Sequence, residues 1–305
     1  MHTTSAYRLA TTFALTAILG SSFPASARAA TFQPLRTPPV AQHHPGRFIW
    51  ADLFTTDPEV ATKFYCGVFG WTAVTVDQKD RAYTVFSNEG RPVAGLAPRP
   101  RAKTNRPSRW IGYISVTDIH ATLARVKEAG GKVRAPARDF PDRGFQAIIA
   151  DNEDSTIGLL QSSSGDPADD EPRPGDWNWF EFYAGKPAAA ASFYRQVFNY
   201  EVAPDTRTER KDDFLLSSGG QPRGGVAPLP DRDDAKPGWL GVIRVTDLDR
   251  RLVRAVELGG EVLLAPRPLA YESRFAIIAD STGGTVGLVE YADNANPANA
   301  HEIHP

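Results

Sequence analysis

Two carboxylates stand two residues after a tryptophan: Asp52 after Trp50 in "FIWADLF", and Glu181 after Trp179 in "WNWFEFY". Both stretches read as strands, and residues two apart on a strand share a face. Each acid is therefore expected beside an indole and a second aromatic ring, Phe54 or Tyr183. A carboxylate held against an aromatic wall keeps its proton to higher pH and can serve as a general base. Asp52 and Glu181 are the candidate catalytic residues. The competing reading is a solvated or arginine-paired carboxylate near a pocket mouth. The same parity on two later strands selects Tyr113 and Ser115, or Val242 and Arg244. Trp50, Phe54, Tyr113, Ser115, Trp179, Tyr183 and Arg244 are accordingly the candidate ligand-binding residues.

The doubling extends along the chain. Trp50 and Trp179 lie 129 positions apart, and the same offset aligns "WIGYISVTDIHATLARVKEAGGKV" (110–133) with "WLGVIRVTDLDRRLVRAVELGGEV" (239–262). Residues 110–161 and 239–290 share 21 identities in 52 gapless positions, so the chain contains an internal duplication. Two domains follow, over 46–162 and 177–292. The segment 163–176 is rich in Ser, Pro and acid and reads as a solvated linker. The stretches before residue 46 and after 292 read as mobile tails.

Within each domain the hydrophobic period changes in a fixed order. After the first strand, Pro58 suits a first helical turn, and Ala61, Phe64, Tyr65, Val68 and Phe69 form one helical face. The strand candidates "WTAVTV", "AYTVFS" and "PVAGLA" come next. The order then restarts: a strand at 110–117, a helix from Ile119 to Ala129 closed by Gly130 and Gly131, and strands near 132–135, 145–150 and 156–161. Each domain is strand-helix-strand-strand-strand, performed twice.

Composition sets outer bounds. The chain has 305 residues and a formal charge of −2, with no long basic run, so neither nucleic acid nor an anionic membrane is favoured as a partner. "LATTFALTAILG" (9–20) followed by Ala27-Arg28-Ala29 predicts a cleavable signal peptide over 1–29 and a periplasmic or secreted protein. Its apolar run is too short to span a bilayer. Cys66 is the only cysteine, which excludes an internal disulfide. It is expected to be a buried or half-buried spectator.

The run Asp57, Phe64-Tyr65 and Phe69-Gly70-Trp71, then Val116-Thr117-Asp118 before a helix ending in Gly-Gly, then Asp151 opening a last hairpin, resembles the vicinal oxygen chelate superfamily. That group includes glyoxalase I, bleomycin-resistance proteins and extradiol dioxygenases. The resemblance covers both domains. It implies an α+β fold in which paired βαβββ units form an open, curled mixed β-sheet barrel around a concave site. It also implies a tandem chain that pairs its own domains as an internal pseudo-dimer. Members with metal hold a divalent ion with His, Gln or Glu on the first strand of each unit and Glu on the last. Carried over here, those positions are Trp50, Ile111 and Gly158, then Trp179, Leu240 and Gly287. None offers a lone pair to a metal, so no metal and no cofactor are expected. The remaining histidines, His2, His43, His44, His120, His301 and His304, lie in the leader, before the first strand, on a helix start or in the tail.

Large and small residues are thus opposed in each domain. One expectation is that Trp50 fills the vacated cavity over Gly158 and Trp179 does the same over Gly287. The other is that each indole floors a pocket and stacks on a flat ligand. Three functions follow. The first is a binding protein for a small, partly aromatic molecule. The second is a lyase or dioxygenase, either through unidentified metal ligands or metal-free through Asp52 or Glu181. The third is a structural or interaction protein with closed pockets.

Overall fold

The computed structural model describes residues 32–76, 82–100, 107–208, 210–231, 235–269 and 273–292. The predicted leader and the tail after 292 lie outside them. The first domain runs β1 (Phe48–Thr55), α1 (Pro58–Phe69), β2 (Thr72–Val76), β3 (Tyr83–Asn88), β4 (Arg91–Pro98), β5 (Arg109–Ser115), α2 (Ile119–Glu128), β6 (Lys132–Phe140), β7 (Gly144–Ala150) and β8 (Thr156–Ser162). The second repeats it: β9 (Trp177–Ala184), α3 (Pro187–Phe198), β10 (Glu201–Pro204), β11 (Phe214–Ser218), β12 (Gln221–Pro228), β13 (Gly238–Arg244), α4 (Leu248–Glu257), β14 (Glu261–Pro268), β15 (Arg274–Ala279) and β16 (Thr285–Glu290).

Local chemistry sets the element ends. Pro58 occupies the first turn of α1, and Asp57 caps it by accepting from the Val60 N–H at 3.3 Å. Gly70 stops the helix with φ of 76°. The helix α3 has Lys186 where α1 has an acid, and its cap comes from the other domain. Glu153 accepts from the N–H groups of Gly185 at 2.7 Å and Lys186 at 2.8 Å.

Each domain forms one open eight-stranded sheet, in the orders β2-β3-β4-β1-β5-β8-β7-β6 and β10-β11-β12-β9-β13-β16-β15-β14. The centre is mixed: β1 runs parallel to β4 and antiparallel to β5, and β5 runs parallel to β8. The α+β architecture expected from the duplicated pattern is what is found.

The helical faces of the two sheets are buried against each other, so both principal cores cross the domain boundary. Phe64, Tyr65 and Val68 of α1 share a core with Leu248, Leu252 and Ala255 of α4. Ile119, Leu123 and Val126 of α2 share the other with Phe193, Tyr194 and Val197 of α3. Phe48 and Phe180 stack between the sheets with ring centroids 4.0 Å apart.

A buried polar latch crosses the boundary twice. The Tyr194 hydroxyl donates to Asp151 Oδ2 of the first domain at 2.6 Å and accepts from Trp239 Nε1 at 2.7 Å. Its counterpart Tyr65 donates to the Gly284 carbonyl at 3.2 Å and accepts from Trp110 Nε1 at 2.8 Å. Asp151 and Asp280 also shape the turns they open, accepting backbone N–H groups of Ser155 and Gly284 respectively.

Two expectations require correction. Residues 32–45 are not a loose tail, and 163–176 is not simply a solvated spacer. Leu35 is buried, and Ser164 Oγ accepts from the N–H groups of Leu35 and Arg36. Asp166 is buried too, accepting from the His44 N–H at 2.7 Å and the Ser115 hydroxyl at 2.6 Å. Serine and aspartate supply acceptors for extended backbone, and composition alone does not separate that use from solvation.

Replacing Tyr194 by Phe removes a donor to a buried carboxylate and an acceptor for a buried indole. The variant is expected to lose about 2 kcal/mol in urea unfolding. A midpoint identical to wild type would show that the latch adds no stability.

Candidate functional site

The concave face of the first domain is organised around Asp52. Its register partner on β4 is Gly95, where any Cβ would overlap the Asp52 carboxylate and the Tyr83 hydroxyl. The acid thus lies on bare backbone. Oδ1 accepts from Trp50 Nε1 at 2.8 Å and from the Tyr83 hydroxyl at 2.6 Å. The Arg143 guanidinium lies 4.2 Å from the Trp50 ring, with only 1% of the residue exposed. Burial pushes the Asp52 pKa up, opposed by the hydrogen bonds of Tyr83 and Trp50 and by the charge of Arg143. The Tyr113 hydroxyl is pushed well above its ordinary range by burial and by the nearby Asp52 charge.

The N-terminal strap, residues 32–45, closes this face. Phe32 sets its ring edge-on to Tyr83 at 4.5 Å and to Phe140 at 4.8 Å. Arg143 Nε donates to the Gln33 carbonyl at 2.7 Å, and Leu35 packs into the same cluster as Trp50 and Tyr113.

The second domain keeps the core of the unit and changes its surroundings. Glu181 is paired in register with Gly225, and Trp179 Nε1 donates to Glu181 Oε2 at 2.6 Å. Val242 stands where the first domain has Tyr113, and the buried Asp213 stands just before β11, at the position of Tyr83 in β3. The Arg207 guanidinium lies 5.5 Å from the Trp179 ring and is forked onto Asp205. Burial, aided by Glu181 and Asp213, holds the Tyr183 hydroxyl well above its ordinary range; Arg210 opposes this. Around this polar centre Leu240, Phe275 and Val289 are buried, while Leu215, Leu264 and Ile277 are half-buried. No residue of the segment before β9 joins this apolar cluster among the described residues.

The structure therefore brings Trp50, Asp52 and Tyr113 together, with half-buried Phe54 in the same cluster, and separately unites Trp179, Glu181 and Tyr183. Ser115 and Arg244 stand apart and hold the linker. Ser115 donates to Asp166, and Arg244 Nη1 reaches Glu171 and the Pro172 carbonyl. Neither indole lies over its expected glycine. Trp50 is opposite Tyr113 and Tyr113 opposite Gly158, so the Tyr113 ring occupies the space a side chain at 158 would need. Phe275 and Val242 fill that space at Gly287. The indole is one strand further away.

Four further residues emerge only in three dimensions: Tyr83, Arg143, Arg207 and Asp213. The alternation of "AYTVFS" places Tyr83 on one face but not over Asp52, which needs the β3–β4 register. Arg143 sits in the "FPDRGF" connection between β6 and β7, which carries only turn signals.

The six positions that hold the ion in metal-binding members supply no lone pair to one here. Trp50 and Trp179 spend their only polar hydrogen on a carboxylate, and Ile111, Leu240 and the two glycines supply no donor. In the first domain the buried Arg143 guanidinium further opposes a cation. Among the described residues no group of three His, Cys, Asp or Glu side chains is placed to hold a metal. Cys66 is a half-buried thiol whose pKa burial pushes up.

The pattern described as the Glyoxalase/Bleomycin resistance protein/Dioxygenase superfamily matches residues 47–159, and that of a glyoxalase-like domain matches 179–289. The anthracycline biosynthesis protein DnrV of Streptomyces peucetius is 31% identical over 259 residues, covering 81% of this chain and 94% of its own. The chain belongs to the glyoxalase/bleomycin resistance/dioxygenase superfamily. The fold is shared with the Mn(II)-bound glyoxalase of Novosphingobium aromaticivorans (TM-score 0.56, 16% identity, covering 85% of this chain and 86% of that one). It is also shared with the 2,3-dioxygenase LapB of Pseudomonas sp. KL28 (TM-score 0.55, 14% identity, covering 82% and 93%).

Adding a methyl group at Gly158 forces the Tyr113 ring to move. Gly158→Ala is expected to cost about 1–3 kcal/mol, and Tyr113→Val in the same chain should recover part of it. Additive losses in urea unfolding would show that the two do not share space.

For Asp52 the folded pKa lies above the unfolded value of about 3.9, so the folded state holds the extra proton between the two. Its contribution to stability therefore falls as pH rises through that window and is flat above it. Relative to Asp52→Asn, the wild type should gain stability as pH is lowered from about 7 toward about 4. A pH-independent difference would mean that Asp52 titrates alike in both states.

Proposed function

We propose that this superfamily member binds a small, partly aromatic molecule in the concave face of its second domain and does so without the usual divalent ion. The observation that carries the reading is the indole-carboxylate pair. In both domains the residue at the family's first metal position donates its N–H to an acid on the same strand. The second domain offers the better receptor. Its half-buried Tyr183, Leu215, Leu264 and Ile277 supply apolar wall around a polar centre of Glu181 and Arg207, the usual make-up of a small-molecule pocket. In the first domain Phe32 and Leu35 already occupy the corresponding wall. The similarity to DnrV, an anthracycline biosynthesis protein, agrees with a polycyclic aromatic ligand class. The proposal includes export, on the strength of the leader-like first 29 residues.

A second reading, acid–base catalysis, is favoured by the raised pKa of Asp52 and its 2.6 Å contact with Tyr83. In that reading Asp52 or Glu181 takes a proton from a bound substrate, as in a metal-free lyase.

Elemental analysis of the purified, untagged protein, with and without added Zn, Ni, Mn and Fe(II), tests the metal half of the proposal. Well under one equivalent of any of them is expected; near-stoichiometric metal would overturn it. Titration with anthraquinone should quench tryptophan emission, and Tyr183→Ala should weaken that binding about tenfold. Equal binding by the variant would move the ligand elsewhere.

A further inference from the structure

A cleft of about 570 Å³ lies between the N-terminal strap, the hairpin joining β3 to β4, and the linker 163–176, and it borders the first carboxylate centre through Leu35, Ile49 and Trp50. That volume is within the range of pockets that enclose small organic ligands, and the junction of two domains is a common place for one. Its floor is aromatic. Phe48 and Phe180, stacked at 4.0 Å, line it with Trp177, which is held in place by donating Nε1 to the Val93 carbonyl at 3.0 Å.

The remaining walls determine what kind of polar group a ligand must bring. Pro34, Pro92, Pro167 and Pro172 all contribute, and proline has no backbone N–H to offer. The charged donors are four arginines: Arg36, Arg47, Arg91 and Arg173. Two are committed. Arg47 is tied to Asp169 and to the Pro167 and Ala168 carbonyls, while both terminal nitrogens of Arg91 are on Asp176. The other two are available to a ligand. Arg173 has only a 3.8 Å pairing with the exposed Glu89, and Arg36 makes no ion pair among the described residues, although its backbone is fixed on Ser164. Of the lining acids, Asp176 is taken by Arg91 and Glu171 is answered from outside by Arg244. Asp170 is the third.

We propose that this cleft is a second ligand site, which takes a flat aromatic molecule carrying one anionic group, a carboxylate or sulfonate. The aromatic body lies against Phe48, Trp177 and Phe180, and the anion is held between Arg36 and Arg173, where a planar guanidinium matches such a group well. The site is separate from the second concave face and adjoins the first, with which it shares Leu35 and Trp50. Its wall exists because the strap is docked on Ser164, so the segment that closes the first concave face also builds one side of the cleft.

Naphthalene-2-sulfonate and uncharged naphthalene-2-methanol are the probes, titrated into the full chain by calorimetry. The sulfonate is expected to bind more tightly than the alcohol. Ala168 lines the cleft and is exposed, so Ala168→Trp should fill the space without disturbing a core. It should weaken sulfonate binding by tenfold or more, on the order of one lost aromatic contact. Arg36→Ala combined with Arg173→Ala should weaken the sulfonate several-fold and leave the alcohol unchanged. Unchanged sulfonate binding in Ala168→Trp, or equal affinity for the two probes, overturns the proposal. Loss in Tyr183→Ala but not in Ala168→Trp would place the probe in the second concave face. That outcome overturns the cleft and leaves the preceding reading standing.

Discussion

Each sheet has a helical face that one domain cannot cover by itself, and the rest of the structure follows from that. Phe64, Tyr65 and Val68 on one side, and Phe193, Tyr194 and Val197 on the other, find their partners on helices of the opposite domain. Separated, each domain would expose aromatic surface whose burial is worth on the order of 1.5–3 kcal/mol per side chain. The two Tyr-Asp or Tyr-carbonyl latches add direction to this apolar contact, because a buried hydroxyl and a buried carboxylate each require a partner at a defined distance. With the helical faces committed to each other, the concave faces point away from the domain contact. Duplication therefore gives the chain an internal pairing of its two domains.

The two concave centres show how much of a site is backbone and how much is surroundings. In both, a strand glycine leaves room for an acid, and an indole two residues away donates to it. That unit is built from spacing alone and survives the change from Asp52 to Glu181. Beyond it the domains diverge. Tyr83, Tyr113 and Arg143 enclose the first acid with donors and a positive charge. Val242, Asp213 and Arg207 leave the second, which is just as buried, in a more acidic setting. One fold thus carries two electrostatic environments, and any chemistry must be argued separately for each.

The fold was legible in the sequence because its signals are local and repeated. Helix periodicity at Ala61, Phe64, Tyr65, Val68 and Phe69, strand alternation and the closing glycines each depend on a few neighbouring residues, and every one occurs twice. The site was legible only along single strands. Parity placed Asp52 beside Trp50 and Glu181 beside Trp179, but it does not say which strand lies next door. Tyr113, not Trp50, covers Gly158 because β5 is the strand paired with β8. Ser115 and Arg244 carry the right parity yet lie at strand ends, where the linker claims them. Arg143 and the strap were illegible for a different reason. A turn arginine and a proline-rich segment have no periodicity, and their place is decided by contacts more than 100 residues away in the chain.

The strap and the linker occupy equivalent places before their domains, and the molecule uses them differently. Ahead of the first domain, the strap crosses the concave face and inserts Phe32 and Leu35. Ahead of the second, the linker must also carry the chain from one domain to the other, and it is pinned on the way by Ser115, Arg223 and Arg244. It therefore cannot cover the second concave face as the strap covers the first. The asymmetry follows from connectivity: strap residues join the first apolar cluster, and among the described residues none of the linker joins the second. The space left between strap and linker is the arginine-lined cleft, which a pair of separate single-domain chains would have no linker to form.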